Sequence, residues 1–224
     1  VGTAADVLAW ARAQLGVTES PPNSNRVRYW ADAGMAKLQG QPWCDAFVSA
    51  AFKLHGVDVP PQSYCPYSEA WYRKGGRLVD VTKAQPGDQV LFHFAGEANE
   101  ANHTGILESI DLAKHTVTCL EGNTAPGSAG SQSNGGGVYR RTRSFSVVRA
   151  VGRPPYSEGD DMALSDEDVK KVAAAVAGAP KQEGITNLGD LASLIKSQAG
   201  GGAAIDYDVL AEKVVAHLAK HLAT

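Results

Sequence analysis

Apolar residues recur at helical spacing along the first third of the chain and at strand spacing along the second. Val7, Leu8, Ala11 and Leu15 fall on one face of a segment from 4 to 15, and Gly16 stands where that helix would stop. The turn-rich stretch 19–25 (ESPPNSN) breaks the pattern. A short helix is expected next through Val27, Tyr29 and Trp30, ending near Gly34. Pro42 then precedes a helical run from Trp43 to His55, closed by Gly56, with Phe47, Val48, Ala51 and Leu54 at helical spacing. Proline at the start of a helix costs no hydrogen bond, and glycine just past its end accepts left-handed backbone.

After Gly75-Gly76 the period changes. Residues 77–81, 89–94, 104–110, 116–121, 137–143 and 147–151 are short runs rich in β-branched and aromatic side chains. Turn signals separate them, among them Pro86-Gly87-Asp88 and the Gly/Ser stretch 127–137. Helices first and strands second predict an α+β fold, with helices packed on an antiparallel sheet. The expected first domain covers residues 1–153. Arg153-Pro154-Pro155 and the polar run that follows read as a linker over 154–161. From 162 to 224 the pattern is that of a small helical segment, with a capping-box start at Ser165 and Asp168. Its apolar stripes are too narrow to bury a core alone. No internal repeat is present.

Composition narrows the function classes. Of 224 residues 43% are hydrophobic and 20% charged, and the formal net charge is −3. That balance supplies no electrostatic footprint for nucleic acid and no basic stretch for anionic lipid. No run approaches the ~20 apolar residues of a membrane helix, so no stable membrane association is expected. The three cysteines, Cys44, Cys65 and Cys119, have neither disulfide-framework nor zinc-site spacing. A Cys65–Cys119 bridge is left open.

Cys44 sits just inside the start of a predicted helix, where unpaired N–H groups and the helix dipole favour the thiolate. A buried structural cysteine is the bland alternative there. It is the preferred reading for Cys65, expected in a loop, and for Cys119, inside a strand. A thiolate nucleophile needs a base, and the base needs an orienting group. Of six histidines, His103 opens a strand after a polar loop and beside Gly105, which lets another backbone approach. His55 lies at a helix end, His115 in a turn, and His93 within a strand. His217 and His221 are four apart, but no third ligand stands near them in the sequence. One strand further on, Cys119, Glu121 and Asn123 share a face by the period of two, so Glu121 and Asn123 are both candidates to fix the imidazole.

Pro42-Trp43-Cys44 with Phe47-Val48, Pro86-Gly87-Asp88, His103-Thr104-Gly105-Ile106, Glu121-Gly122-Asn123-Thr124 and the closing run 148–153 occur in that order. Together they resemble the CHAP family, the cysteine- and histidine-dependent amidohydrolases and peptidases of papain-like fold. The resemblance covers about two-thirds of the chain. It implies cleavage of an amide bond in bacterial peptidoglycan, as in phage endolysins, either as an N-acetylmuramoyl-L-alanine amidase or as a peptide endopeptidase. It maps the nucleophile onto Cys44, the base onto His103 and the orienting groups onto Glu121 and Asn123. Gln41 is then a candidate second oxyanion donor, and Trp43, Tyr64 and Trp71 are candidates to line the substrate groove. Asp45 departs from the small residue often found after the cysteine, and a carboxylate there tends to raise a thiol's pKa. Some relatives carry a calcium loop before the cysteine. Here that region has Asp32 alone, so no metal and no cofactor are expected.

The expected partner is the wall itself, with homo-oligomerisation through the C-terminal helices ahead of wall binding by them. Residues 1–16 lack the apolar core of a secretion signal, so synthesis in a host cytoplasm with holin-assisted release is the expectation. Two rivals stand. One is the other wall-peptidase branch of the papain-like fold, in which a second histidine takes the third position. The other is a non-catalytic peptidoglycan-binding or phage tail module on the same fold.

Overall fold

The computed structural model describes residues 2–94, 100–127 and 131–157. The segment expected at 162–224 lies outside the described residues.

Helix α1 (Ala4–Ala13) starts on a reciprocal cap. The Thr3 hydroxyl accepts from the Asp6 N–H, and the Asp6 carboxylate accepts from the Thr3 N–H. Its buried face carries Val7, Leu8 and Ala11. After the short α2 (Tyr29–Asp32), helix α3 (Cys44–Leu54) runs through the interior, with every residue from Cys44 to Phe52 buried. Small residues at 46, 49, 50 and 51 let its neighbours close in on all sides. Helix α4 (Cys65–Lys74) follows, with Pro66 in its first turn.

Six strands make one antiparallel sheet: β1 (Leu78–Val79), β2 (Gln89–Phe92), β3 (His103–Asp111), β4 (Thr116–Thr124), β5 (Gly137–Ser144) and β6 (Val148–Gly152). Their order across the sheet is β1-β6-β2-β3-β4-β5. Alternation along the strands splits the core in two. Ile106, Leu120 and Val138 pack with Val7, Trp30, Phe47 and Val48 of the helices. Val90, Phe92, Leu107, Val117, Cys119 and Val151 form a second cluster, covered by Val81, Phe145 and Val147. Contact between α3 and β4 is close enough to require glycine at 122, where a Cβ would lie 2.6 Å from the Phe47 Cβ and 2.8 Å from the Trp43 ring.

The α+β layout expected from the sequence is the one observed. The structure also corrects it in places. Cys65 is not in a loop but opens α4, a helix the pattern did not predict. The strand expected at 77–81 shrinks to two residues, and a 3₁₀ turn follows at Val81–Lys83.

Candidate active site

Three elements meet at the site. Cys44 is the first residue of α3, and its N-cap, Trp43, makes no side-chain capping bond. The first N–H groups of a helix have no intrahelical acceptor, so they and the dipole favour negative charge at this point. His103 opens β3, paired with Phe92 of β2. Glu121 stands on β4, opposite Tyr139 of β5. His103 and Glu121 are both fully buried.

The His103 Nε2 lies 2.9 Å from Glu121 Oε2, so that nitrogen carries the proton and donates it. Among the described residues its Nδ1 has no partner of ordinary hydrogen-bond geometry. That free nitrogen is the one left for the thiol, and ring and thiol are near enough to act on each other's ionisation. Burial opposes the imidazolium, but hydrogen bonding with Cys44 and Glu121, and their negative charge, lift His103 from 6.5 to about 9. The Cys44 thiol is held well below its ordinary value by hydrogen bonding with Cys65, and then, against burial, by His103. The two directions favour a thiolate at Cys44 together with an imidazolium at His103. Phe92 and Phe94 stand 6.0 and 5.7 Å from the imidazole, centroid to centroid, and wall the ring in.

Glu121 is itself anchored. Arg143 of β5 donates to both of its oxygens, Nε to Oε1 at 2.9 Å and Nη2 to Oε2 at 2.6 Å. Burial pushes Glu121 up, but the hydrogen bonds from His103 and Arg143 outweigh it and keep the carboxyl below its usual value. Gly105 makes room for this arrangement, since a Cβ there would fall 2.7 Å from the Glu121 Cγ. Sequence reasoning missed Arg143, whose strand (GVYRRTRS) offers no apolar alternation to mark an inward-facing arginine.

Asp45 follows Cys44 on α3. It is buried, with Oδ2 accepting from Ser68 Oγ at 2.8 Å and Oδ1 accepting from Gln89 Nε2 at 3.1 Å. Burial, followed by the charge on Cys44, raises its carboxyl to about 7, with the Ser68 and Gln89 bonds pulling the other way. A carboxyl that is partly uncharged near neutrality adds less repulsion to the thiolate than the sequence suggests. Gln89 also donates to Thr104 Oγ1 at 3.0 Å and accepts from Tyr72 OH at 3.0 Å. This polar chain ties α3, α4, β2 and β3 together next to Cys44.

The remaining sequence candidates fall in different places. Asn123 is not hydrogen-bonded to His103. Its φ of 57° breaks the strand alternation, and its Nδ2 donates to Ser133 O at 3.3 Å and Asn134 Oδ1 at 3.2 Å. The β4–β5 register shifts between Glu121 and Thr124, which is why the period of two fails there. Trp43 does not line a surface groove: it is fully buried, stacked on Tyr29, with Nε1 donating to Glu19 Oε1 at 2.9 Å. Gln41 is exposed in the turn before α3. Tyr64 is exposed at the N-cap of α4, donates to Glu100, and meets Tyr67 edge-on at 5.2 Å. Trp71, about two turns further along α4, is half-buried and edge-on to Tyr72 at 5.0 Å. All three cysteines are free, and Cys65 packs against Cys44, not Cys119: the two Sγ atoms are 3.8 Å apart.

Among the solved structures similar to this chain is the endolysin LysIME-EF1, 16% identical over 70% of this chain and 66% of that one, with a TM-score of 0.44. Another is an NlpC/P60 family protein from Bacillus cereus, 16% identical over 67% of this chain and 40% of that one, with a TM-score of 0.39. The chain therefore spans less than two-thirds of the length of either. No protein-family model and no curated protein matches the sequence. At this identity and overlap neither structure assigns a family or an activity, so the functional argument rests on the site.

What the site can do follows from its parts. It holds a thiol biased toward its thiolate, an imidazole biased toward its protonated form, and a carboxylate accepting from the other ring nitrogen. Such a set is chemically able to carry out acyl transfer.

Proposed function

We propose that the chain is a peptidoglycan hydrolase of the CHAP type, cutting a wall amide by a thiol mechanism. The observation that carries the chemistry is the buried His103, bonded through Nε2 to Glu121 and with Nδ1 left for the Cys44 thiol. The choice of peptidoglycan rests on the motif order from Pro42 to Arg153.

In this reading the Cys44 thiolate attacks the amide carbonyl carbon. The oxyanion is met by the backbone N–H of Cys44, at the positive end of α3, and by Gln41. His103 then gives its Nδ1 proton to the leaving amine as the C–N bond breaks, leaving a thioester on Cys44. Next, His103 takes a proton from water, the hydroxide attacks the thioester, and the carboxylic acid departs as the thiolate is restored. Glu121 holds the ring in register and balances its charge, and Arg143 holds Glu121. Asn123 acts on the loop beside β4. Tyr64 and Trp71 contribute to the groove that receives the wall strand.

The test is mass spectrometry of fragments released from purified peptidoglycan by the full chain and by Cys44→Ala. Fragments that appear only with the intact thiol are expected, and their termini name the bond. Free lactyl groups mark an amidase, and split stem or bridge peptides mark an endopeptidase. Equal release by Cys44→Ala would overturn the thiol mechanism. No release from several wall types would replace the enzyme with a binding module.

A further inference from the structure

A nucleophilic cysteine needs no second cysteine for amide hydrolysis, yet this one has a thiol for a neighbour. Cys44 and Cys65 are each the first residue of a helix, α3 and α4, and their Sγ atoms are 3.8 Å apart. Cys65 is 3% exposed and Cys44 6%, so the pair is screened from bulky reagents. Leu91, Ala101 and Ala150 pack around it. Cys119 belongs to the separate cluster on the sheet.

We propose that Cys44 and Cys65 form a redox modification site, in which a hydroperoxide converts the pair to a disulfide and reversibly switches the nucleophile off. This rests on the reading of Cys44 as the reactive thiol. The Cys44 thiolate attacks the terminal oxygen of the hydroperoxide. The O–O bond breaks, an alcohol (water, for hydrogen peroxide) leaves after taking a proton, and Cys44 becomes a sulfenic acid. Cys65 gives up its proton and attacks the Cys44 sulfur. The S–S bond forms, the S–O bond breaks, and hydroxide leaves as water with the proton from Cys65. Two sulfurs lose one electron each, and the two oxygens of the peroxide bond gain one each. A dithiol restores both thiols by exchange and becomes a cyclic disulfide.

Three features favour this outcome over simple packing. The Sγ separation must close by about 1.8 Å to reach bonding distance, within reach of side-chain rotation at two helix starts. The helix N-terminus favours thiolate at Cys44, the first attacker, and once Cys44 is an uncharged sulfenic acid its charge no longer opposes ionisation of Cys65 at the start of α4. Either sulfur can donate across the 3.8 Å contact, but of the two only Cys44 is influenced by His103, which favours its thiolate, while hydrogen bonding with Cys44 and burial push the Cys65 thiol up. Cys44 is thus the site of first oxidation and Cys65 the resolving thiol, which spares the nucleophile from irreversible oxidation to the sulfinic acid.

The experiment treats the full chain with one equivalent of hydrogen peroxide, quenches with an alkylating agent, and maps peptides without reduction. The expected product is a single intramolecular cross-link between the Cys44 and Cys65 peptides, with Cys119 still free and fully alkylated. Dithiothreitol should return both thiols. Cys119→Ala should cross-link as the wild type does. Cys65→Ala should yield a dimedone-reactive Cys44 that passes to sulfinic acid and is not recovered by dithiothreitol. A wild type that goes to Cys44 sulfinic acid without a cross-link, a bridge between two chains, or a bridge through Cys119 would overturn the proposal. These readouts are masses, so they stand apart from wall cleavage. A chain that cross-links but releases no wall fragments keeps the redox pair and loses only the substrate.

Discussion

Glu121→Gln is the most informative single change, because it removes one charge from between two cations and leaves the shape. Glu121 accepts from His103 Nε2 at 2.9 Å and from Arg143 Nε and Nη2 at 2.9 and 2.6 Å, fully buried. The amide retains one oxygen and turns an N–H toward a partner that is itself a donor. Breaking a buried ion pair by removing one member costs ~3–5 kcal/mol. Arg143 keeps a bond to Gln132 Oε1 at 2.8 Å, which places the cost toward the lower end, about 3 kcal/mol. A pH-dependent part adds to this. His103 rises from 6.5 to about 9, equivalent to about 3 kcal/mol in favour of the imidazolium, and Glu121 shares that with Cys44. The folded state holds the proton more tightly, so this stabilisation is full below pH 6.5 and lost as pH rises through about 9. Without Glu121 that loss shrinks. The assay is urea unfolding of both proteins by tryptophan fluorescence across this range. The gap between them should be widest near pH ~6 and narrower by about 1–2 kcal/mol near pH ~10. Parallel stability curves would refute the claim that Glu121 holds a protonated His103.

Other predictions follow from neighbouring contacts. Gly105→Ala puts a Cβ 2.7 Å from the Glu121 Cγ and 3.0 Å from the Leu120 carbonyl oxygen, so it should cost ~1–3 kcal/mol. Displacing Glu121 in this way should also slow wall-fragment release on the order of 10²-fold, and an unchanged rate would show that Glu121 does not position His103. Trp43→Phe loses the bond to the buried Glu19 and should cost ~1–3 kcal/mol in urea unfolding, with KM unchanged. A large rise in KM would return Trp43 to the substrate groove. Asp45 is raised from 3.8 to about 7, so the stability it contributes is full below about 3.8 and lost as pH rises through about 7. Asp45→Asn cannot ionise, so between pH ~4 and ~7 its unfolding free energy should fall less steeply with pH than the wild type's. A slope equal to the wild type's would assign that titration to another group.

Much of the frame was legible because the apolar period reports it directly. Residues 43–55 read as a helix from Phe47, Val48 and Ala51, and α3 spans Cys44–Leu54. Strands expected at 104–110 and 116–121 appear as β3 and β4. Helix α4 stayed hidden although its buried residues, Cys65, Ser68, Glu69 and Tyr72, lie at helical spacing. Two of the four are polar, and polar residues are buried there by partners that only the fold supplies: Asp45 for Ser68, Arg73 and Arg149 for Glu69. Missing α4 also concealed the contact between Cys65 and Cys44. The positions of Cys44, His103 and Glu121 followed from a helix start and two strand positions, which local sequence can show. Arg143 did not, since a buried arginine and a solvated one look alike until the carboxylate it pairs with is placed. Asn123 misled for a related reason, because strand alternation cannot foresee the left-handed residue that ends it.

The central claim is that Cys44 stands as a thiolate against a protonated His103, and its alkylation rate against pH tests this most directly. The native full chain is pulsed with iodoacetamide across a pH series, and the three cysteine peptides are quantified by mass spectrometry. Cys44 should react at neutral and mildly acidic pH, with an onset well below the ordinary thiol value of 9.0, while Cys65 and Cys119 stay slow. In His103→Ala the onset should move up toward that value. A Cys44 that reacts only near the ordinary thiol range, or at the same pH with and without His103, would contradict the account.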